Sequence, residues 1–418
     1  MSAFNPGDIV VTELKLTPHS ASVVDYTNSF VSFDVYESIV APGIIAYITV
    51  LDTKGAQGEA KITGGEQVSF AFSNPGGPTA EYKFVVNSIK DGSATPGQHS
   101  KSYILECVSE EAFNARDKYV SKKYDNQGYH EIIQDIFKNF IKSKKNLDVE
   151  ETKGVFKHVV PNQKPLHAID FVRRRCVSPE NKSSSYVFFE NRDGYFFKTI
   201  EKIFKDKKII KTYVQDAATG TDFLNAKGNN ILAVELPKQN GMSDTIASGN
   251  MKQAYKTYNF QTNSYKQNND VQKPAAGLKT GGTDPVSGRI PTKVQDAHNS
   301  EPNKISVVPS NNEKQLGQGS NPKIAMNSPA QMAYAEALGS SAVKLSVYGD
   351  TDLKAGVMIT ANLLEAKETT NSPSSDPGQS GDFIVYALRH KVKDASAKPR
   401  YTCEMQLIKG APDQSFGS

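Results

Sequence analysis

His130-Glu131-Ile-Ile-Gln134 is the stretch that comes nearest to a catalytic signature. A zinc-protease helix needs two imidazoles one turn apart on the same face, with a glutamate beside the first as base. Here the second position is Gln134, so the stretch predicts the start of a solvent-facing helix and no metal. Asp350-Thr-Asp352 resembles the opening of a calcium loop. The turn glycine and the bidentate glutamate that such a loop requires are Ala355 and Ala361, and a hairpin loop is the expectation. His158 and His167 are the closest pair among seven histidines, and no thiol or carboxylate joins them at metal spacing. Glu110-Glu111 and Glu150-Glu151 are adjacent in the chain, so their side chains point to different faces and not across a cleft as paired acids. Arg173-Arg-Arg175 suits phosphate or an acidic partner, but charge runs on helices are ordinarily solvated faces. Cys107, Cys176 and Cys403 are odd in number and far apart, which gives neither a disulfide framework nor a CxxC metal site and suits a reducing compartment. No Walker loop, GxGxxG or GxSxG occurs. The expectation is therefore a non-enzyme with no catalytic, cofactor-binding or metal residue, unless distant residues assemble one.

The elements that position these residues must be divided among several cores, because 418 residues exceed one ordinary domain of roughly 100–200. Lys and Arg number 49 against 45 Asp and Glu, a net charge of +4, which argues against a dedicated nucleic-acid binder. Residues 111–210 are mildly basic, with 21 basic and 14 acidic side chains. The N-terminus has no basic or apolar region of a secretory signal. The longest strongly apolar run, Ile44–Leu51, falls far short of the roughly 20 residues that span a bilayer. A soluble chain made in the cytoplasm, without stable membrane insertion, is expected.

Residues 1–112 read as a first all-β domain, a small antiparallel barrel or sandwich. Val31, Phe33 and Val35 alternate with polar neighbours, Ile44–Leu51 is apolar on both faces, and Val68–Phe72, Tyr82–Val86 and Tyr103–Cys107 follow between Gly/Pro turns. Residues 113–205 change period into an α+β module. Ile132, Ile133, Ile136, Phe137, Phe140 and Ile141 form one helical stripe, and a second helix starts at Pro165, where the missing N–H costs nothing. Tyr186–Glu190 and Tyr195–Ile200 flank Asp193-Gly194 as a hairpin. Residues 206–260 and 336–412 read as a second, discontinuous β-barrel domain. Its strands are Ile231–Leu236, Ala254–Phe260, Val343–Val347, Val357–Leu363, Asp382–Val392 and Tyr401–Ile408, with Ile384, Tyr386, Leu388, His390 and Val392 on one face. The fold class is α+β, mainly β: two antiparallel β domains flanking the module, with a polar extended insertion, 261–335, in the second. Of residues 261–320 only 13 are apolar, while 23 are Asn, Gln, Ser or Thr, so by itself this segment should be mobile and held by neighbouring chains.

Several stretches carry a resemblance. Ile62-Thr-Gly-Gly-Glu-Gln-Val68, Pro165-Leu-His-Ala-Ile-Asp-Phe-Val172, the aromatic hairpin Tyr186–Phe197, Leu345–Gly356, Ser380–Tyr386 and the His390 strand stand in an order similar to that of the central baseplate hub proteins of contractile-tailed bacteriophages. These are relatives of the hub-like part of type VI secretion spike proteins. The resemblance covers most of the chain outside the insertion.

It implies that the two β domains are similar antiparallel barrels, and a homotrimer whose two barrels per chain build a ring with pseudo-sixfold character. Such a ring joins a sixfold tail tube to a threefold spike and passes tape-measure protein and then DNA. The implied partners are the spike protein, tail tube proteins, tape-measure protein and baseplate wedge proteins, with DNA only in transit and the virion baseplate as the location. The chain ends ten residues after Ile408, so a spike is expected as a separate partner. Open antiparallel domains leave edge strands that sister chains are expected to complete. Two other readings stand beside it: a tail-tip adhesin that stacks sugars on Tyr195-Phe-Phe197, and a cell-wall hydrolase, which needs an acid/base pair that the sequence does not display.

Overall fold

The structure is a computed structural model. It describes residues 6–19, 22–53, 55, 61–94, 100–180, 184–206, 209–215, 228–236, 253–259, 263–272, 304–309, 342–364, 376, 379–393 and 400–409. The first half contains β1 (Val10–Thr17), β2 (Val24–Asp25), β3 (Phe30–Ser38), β4 (Ile45–Asp52), β5 (Gln67–Ser73), β6 (Ala80–Ala94) and β7 (Lys101–Ser109). Strict alternation puts Leu14, Leu16, Val35, Ala46, Ile48, Val68 and Phe70 inside. The run Ile44–Leu51 is buried on one face only: Ile45 and Leu51 on the other face are exposed.

The module follows, with α1 (Glu110–Asn114), β8 (Val120–Gln127), α2 (Tyr129–Asp135), β9 (Leu147–Val149), β10 (Phe156–Gln163), α3 (Pro165–Arg173), β11 (Tyr186–Asn191), β12 (Gly194–Thr199) and α4 (Ile200–Asp206). The apolar stripe of residues 132–141 is helical as expected, but α2 widens into a π-helix over Ile136–Ile141. Widening keeps Ile136, Phe137 and Ile141 buried and ends on Lys142 in the left-handed region, φ 59°. Helix α3 begins on Pro165 and buries Ala168, Ile169 and Val172. These residues share one core with Tyr186, Phe188, Tyr195 and Phe197 of the hairpin.

The second half contains β13 (Ile209–Val214), β14 (Ile231–Glu235), β15 (Gln253–Asn259), β16 (Ser264–Gln272), β17 (Lys304–Pro309), β18 (Val343–Tyr348), β19 (Met358–Asn362), β20 (Gly381–Val392) and β21 (Tyr401–Ile408). Strand β15 pairs with β16 and β17 in a sheet of its own, so it belongs with the insertion and not with the second half-barrel. Parts of the insertion expected to be extended and mobile, Ser264–Gln272 and Lys304–Pro309, are strands: backbone pairing does not need an apolar sequence.

The two halves share one strand order. In the first it runs β3-β4-β7-β6-β5-β1, and in the second β14-β18-β21-β20-β19-β13. Matching neighbours are antiparallel throughout except at the last position, where β1 is antiparallel to β5 and β13 parallel to β19. Even the irregularities repeat. Register shifts fall at Phe30/Ser32 in β3 and Ile231/Ala233 in β14, and at Val86/Ser88 in β6 and Val385/Ala387 in β20. The halves are not separate barrels, however. They fuse through β3 and β20 into a 13-stranded sheet that curls around one core. Phe72 of β5 packs edge-on against Tyr401 of β21, ring centroids 5.8 Å apart, which closes the curl across the interior.

Candidate assembly site

Residues far apart in the chain meet at the junction of the halves. Strand β20 does two jobs along one edge: Gly381–Ile384 pairs with β19, and Ala387–Val392 pairs with β3. The bulge at Val385–Ala387 separates these runs, and an extra residue reverses the facing of everything before it. Thus Leu388 and Val392 face the main core, whereas Ile384 and Tyr386 join a different one with Ile39, Phe189 and Met358. The single shared face expected for residues 384–392 is corrected by that bulge. Arg389 ties the seam, donating to Asp34 of β3 at 2.8 Å and to Glu404 of β21 at 3.0 Å, while Lys391 holds the other oxygen of Glu404 at 2.9 Å. Strand β3 is thereby completed by β20 of its own chain.

The β11–β12 hairpin brackets this junction. Its loop is Arg192-Asp193, and Gly194 leaves it at φ 137° with the Asn146 carbonyl so close that an added Cβ would lie 2.6 Å from the oxygen. From this turn, Asn191 Nδ2 donates to the Ala355 carbonyl at 3.0 Å, Arg192 donates to the Thr351 carbonyl, and Asp193 pairs with Lys354 at 2.7 Å. On the other side, Glu190 accepts from the Ile44 amide at 3.3 Å and the Tyr195 hydroxyl at 3.0 Å, and Lys145 bridges it at 2.5 Å to Glu111 at 2.6 Å. One turn thus grips both halves of the sheet.

Two buried carboxylates set the electrostatics of the bracket. Glu37 is buried, accepting from the Tyr82 hydroxyl and the Ala355 amide, each at 3.0 Å. Burial holds its carboxyl above the ordinary range against the pull of Arg192, and Glu190 is raised by burial in the same way. Burial works against charge on Lys145, yet Glu190 and Glu111 keep its ammonium above the usual lysine range. A cleft of about 610 Å³ opens beside the joint, between Thr12, Ser69 and Lys83 on the sheet and Lys145, Glu190 and Arg192.

A second polar cluster lies within the main core. Asp350 accepts from Lys211 at 2.5 Å and from the Tyr213 hydroxyl at 2.9 Å; these contacts overcome its desolvation and hold it below the usual carboxylate range. His390 and Cys403 adjoin it, Nδ1 to Sγ 3.3 Å, with the Tyr401 hydroxyl 2.8 Å from the same nitrogen. A thiol beside an imidazole is the outline of a nucleophile, but burial pushes Cys403 up to about 12 and His390 down to about 3. Both are inaccessible, so the pair stays neutral and serves as packing and hydrogen bonding.

No protein-family model matches the sequence, and no curated protein matches it significantly. Solved structures do. A tail protein from Neisseria meningitidis MC58 superposes with a TM-score of 0.56 at 9% identity, covering 97% of this chain and 99% of that one. The 43 kDa tail protein of prophage MuSo2 from Shewanella oneidensis gives 0.54 at 11% identity, covering 96% and 98%. The chain shares the fold of these two tail proteins.

Within that tail-protein fold, the residues singled out in the sequence are held by local partners. His130 meets Thr152, Nδ1 to Oγ1 3.0 Å, and is half-buried at the start of the helix, where Glu131 and Gln134 face solvent as expected. His158 is sandwiched between Tyr129 and Phe171, and burial, reinforced by Arg175, pushes it down to about 4. Arg173 and Arg174 pair with Asp170, both at 2.6 Å, and Arg175 lies over the Phe171 ring. Glu150 receives Ser178 at 2.8 Å and the Thr199 amide at 2.7 Å. Asp350 and Asp352 do not form a hairpin loop, because the strands they connect, β18 and β19, are not neighbours in the sheet. Among the described residues no three His, Cys, Asp or Glu side chains are placed to hold a metal ion. Sequence reasoning missed Glu37, Glu190 and Lys145 as a joint; the Phe-Phe-Glu-Asn-Arg motif was the available signal.

Proposed function

We propose that the chain is a structural component of a phage tail, and within it a baseplate hub. In this reading three copies form a ring that joins the sixfold tail tube to the threefold spike. Tape-measure protein, then DNA, passes through the bore, and the protein works without catalysis. The observation that carries this is internal: one chain holds two half-barrels of the same strand order, side by side in one sheet. Three such chains present six similar surfaces while keeping threefold symmetry, which is what a symmetry adaptor requires. The likeness to tail proteins over nearly the full length of both chains supports the same reading. The first half, 1–112, and the second-half strands β13, β14 and β18–β21 would line the ring, with the module, 113–205, outside.

The adhesin reading loses its surface, since Tyr195 and Phe197 are buried in the module core. Native mass spectrometry tests the hub: a trimer, or a complex with a spike protein, is the expected species, and axial density of an intact particle must fit three copies at the tube–spike junction. A monomer found at the tail periphery would refute it.

A further inference from the structure

The two halves finish their matching strands differently, and the difference falls at the cleft beside the joint. The bulge that both halves carry aligns Val86 and Cys107 of the first with Val385 and Leu407 of the second, so Phe84 and Ser109 correspond to Phe383 and Lys409. In the second half Lys409 is buried. Its ammonium donates to the Ser380 carbonyl and lies 5.8 Å from the centre of the Phe383 ring. The counterpart of Ser380 is Glu81. In an antiparallel ladder, alternate residues turn their N–H and C=O to opposite edges. The Val86 amide and carbonyl are bonded to Glu66 and Gly65 on the β5 side, so the Glu81 carbonyl opens to the β7 side. Strand β7 ends at Ser109, opposite Phe84, and does not reach it. Ser109, standing where Lys409 stands, is too short to do so.

The cleft of about 610 Å³ opens at this place, with Glu81, Phe84 and Ser109 among its walls, and its size is that of a small-ligand pocket. Glu13 and Glu190 bring further carboxylates. Two of its cations are already engaged, Lys145 by Glu111 and Glu190, and Arg192 by the carbonyls of Thr351 and Leu353. The third, Lys83, is exposed. We propose that this cleft binds a primary ammonium on a short alkyl stem, carried by a lysine side chain of a partner protein or by a free alkylamine. The ammonium donates to the Glu81 carbonyl and the stem lies against Phe84, which is the arrangement that Lys409 makes within the second half. A charge-assisted hydrogen bond and a cation–π contact supply the affinity, and the carboxylates favour a cation over a neutral group of the same shape. The site does not depend on how copies of the chain assemble.

Saturation-transfer NMR on the full chain tests this, with n-butylammonium and a doubly capped lysine as probes and n-butanol as the uncharged control. The amines are expected to bind and butanol is not. Tighter binding of the capped lysine marks a protein partner and tighter binding of n-butylammonium a free amine; either order supports the site. Ser109→Lys supplies the ammonium from the chain itself, as Lys409 does, and should weaken binding of both probes by at least about tenfold. Ser109 makes no side-chain capping bond to α1, so that helix start keeps its hydrogen bonds in the variant. Ser69→Lys, at a half-buried position on the cleft wall, should weaken binding by charge repulsion and serves if the first variant does not fold. Absence of binding by either amine, butanol binding as well as n-butylammonium, or unchanged binding in a folded variant would overturn the site and leave the tail-component reading standing.

Discussion

At the scale of single residues, the joint between module and sheet depends on positions where the backbone or a buried charge leaves little freedom. Gly194 is one. Its φ of 137° and the Asn146 oxygen at 2.6 Å from an added Cβ leave no room for alanine. Gly194→Ala is expected to cost about 2–3 kcal/mol in denaturant unfolding. Glu37 is another, and its effect has a defined sign. A carboxyl held high by burial takes up its proton more readily folded than unfolded, so its contribution is fully favourable at low pH and is lost as pH rises. Glu37→Gln keeps an acceptor for the Ala355 amide and removes the buried charge. Its stability relative to the parent should therefore climb as pH rises past about 4.3, through the range where folded Glu37 ionises. A stability difference that is flat with pH, or that grows on acidification, would contradict the assignment. Asp350 and Glu404 act in the opposite sense, since both are held low and contribute stability that fades in acid.

At the scale of elements, a bulge and a widened helix do what regular pattern does not. The bulge in β20 lets one strand serve two partners on one edge and two cores on its faces. The widened turn over Ile136–Ile141 keeps the apolar stripe on the module core but ends on a lysine in the left-handed region, at φ 59° and ψ 36°. Lysine is strained there and glycine is not. Lys142→Gly should stabilise the chain by about 0.5–1 kcal/mol, as measured by urea unfolding, because the side chain is exposed and the hydrogen bond from the residue-142 backbone N–H to the Phe137 carbonyl is kept. A loss of stability would show that the lysine side chain makes contacts that outweigh the backbone strain.

At the scale of the molecule, the two half-barrels are one structural unit. Their buried side chains form a single cluster from Leu14 to Leu407, and the seam between them is a full strand pairing. Calorimetry should therefore show the halves melting in one transition, with no separate step for residues 1–112. Two transitions, one of which survives removal of the second half, would mean that each half carries its own core.

Much of this was legible in the sequence, for reasons that are local. Period-2 alternation marked β3, β7 and β18, Pro165 marked the start of α3, and Asp193-Gly194 marked the hairpin turn, because each is decided by neighbours in the chain. The mixed, mainly β class and the repetition of two strand-rich halves followed from those signals. What the sequence could not decide were meetings of distant residues: Glu37 with Ala355, Glu190 with Lys145, Arg389 with Asp34. Nor could alternation reveal the bulge at Val385–Ala387, since an extra residue in a strand changes no composition and only its pairing partner exposes it. Face, partner and charge state are properties of the closed sheet, and only the tertiary structure, by bringing β3 onto β20, determined them.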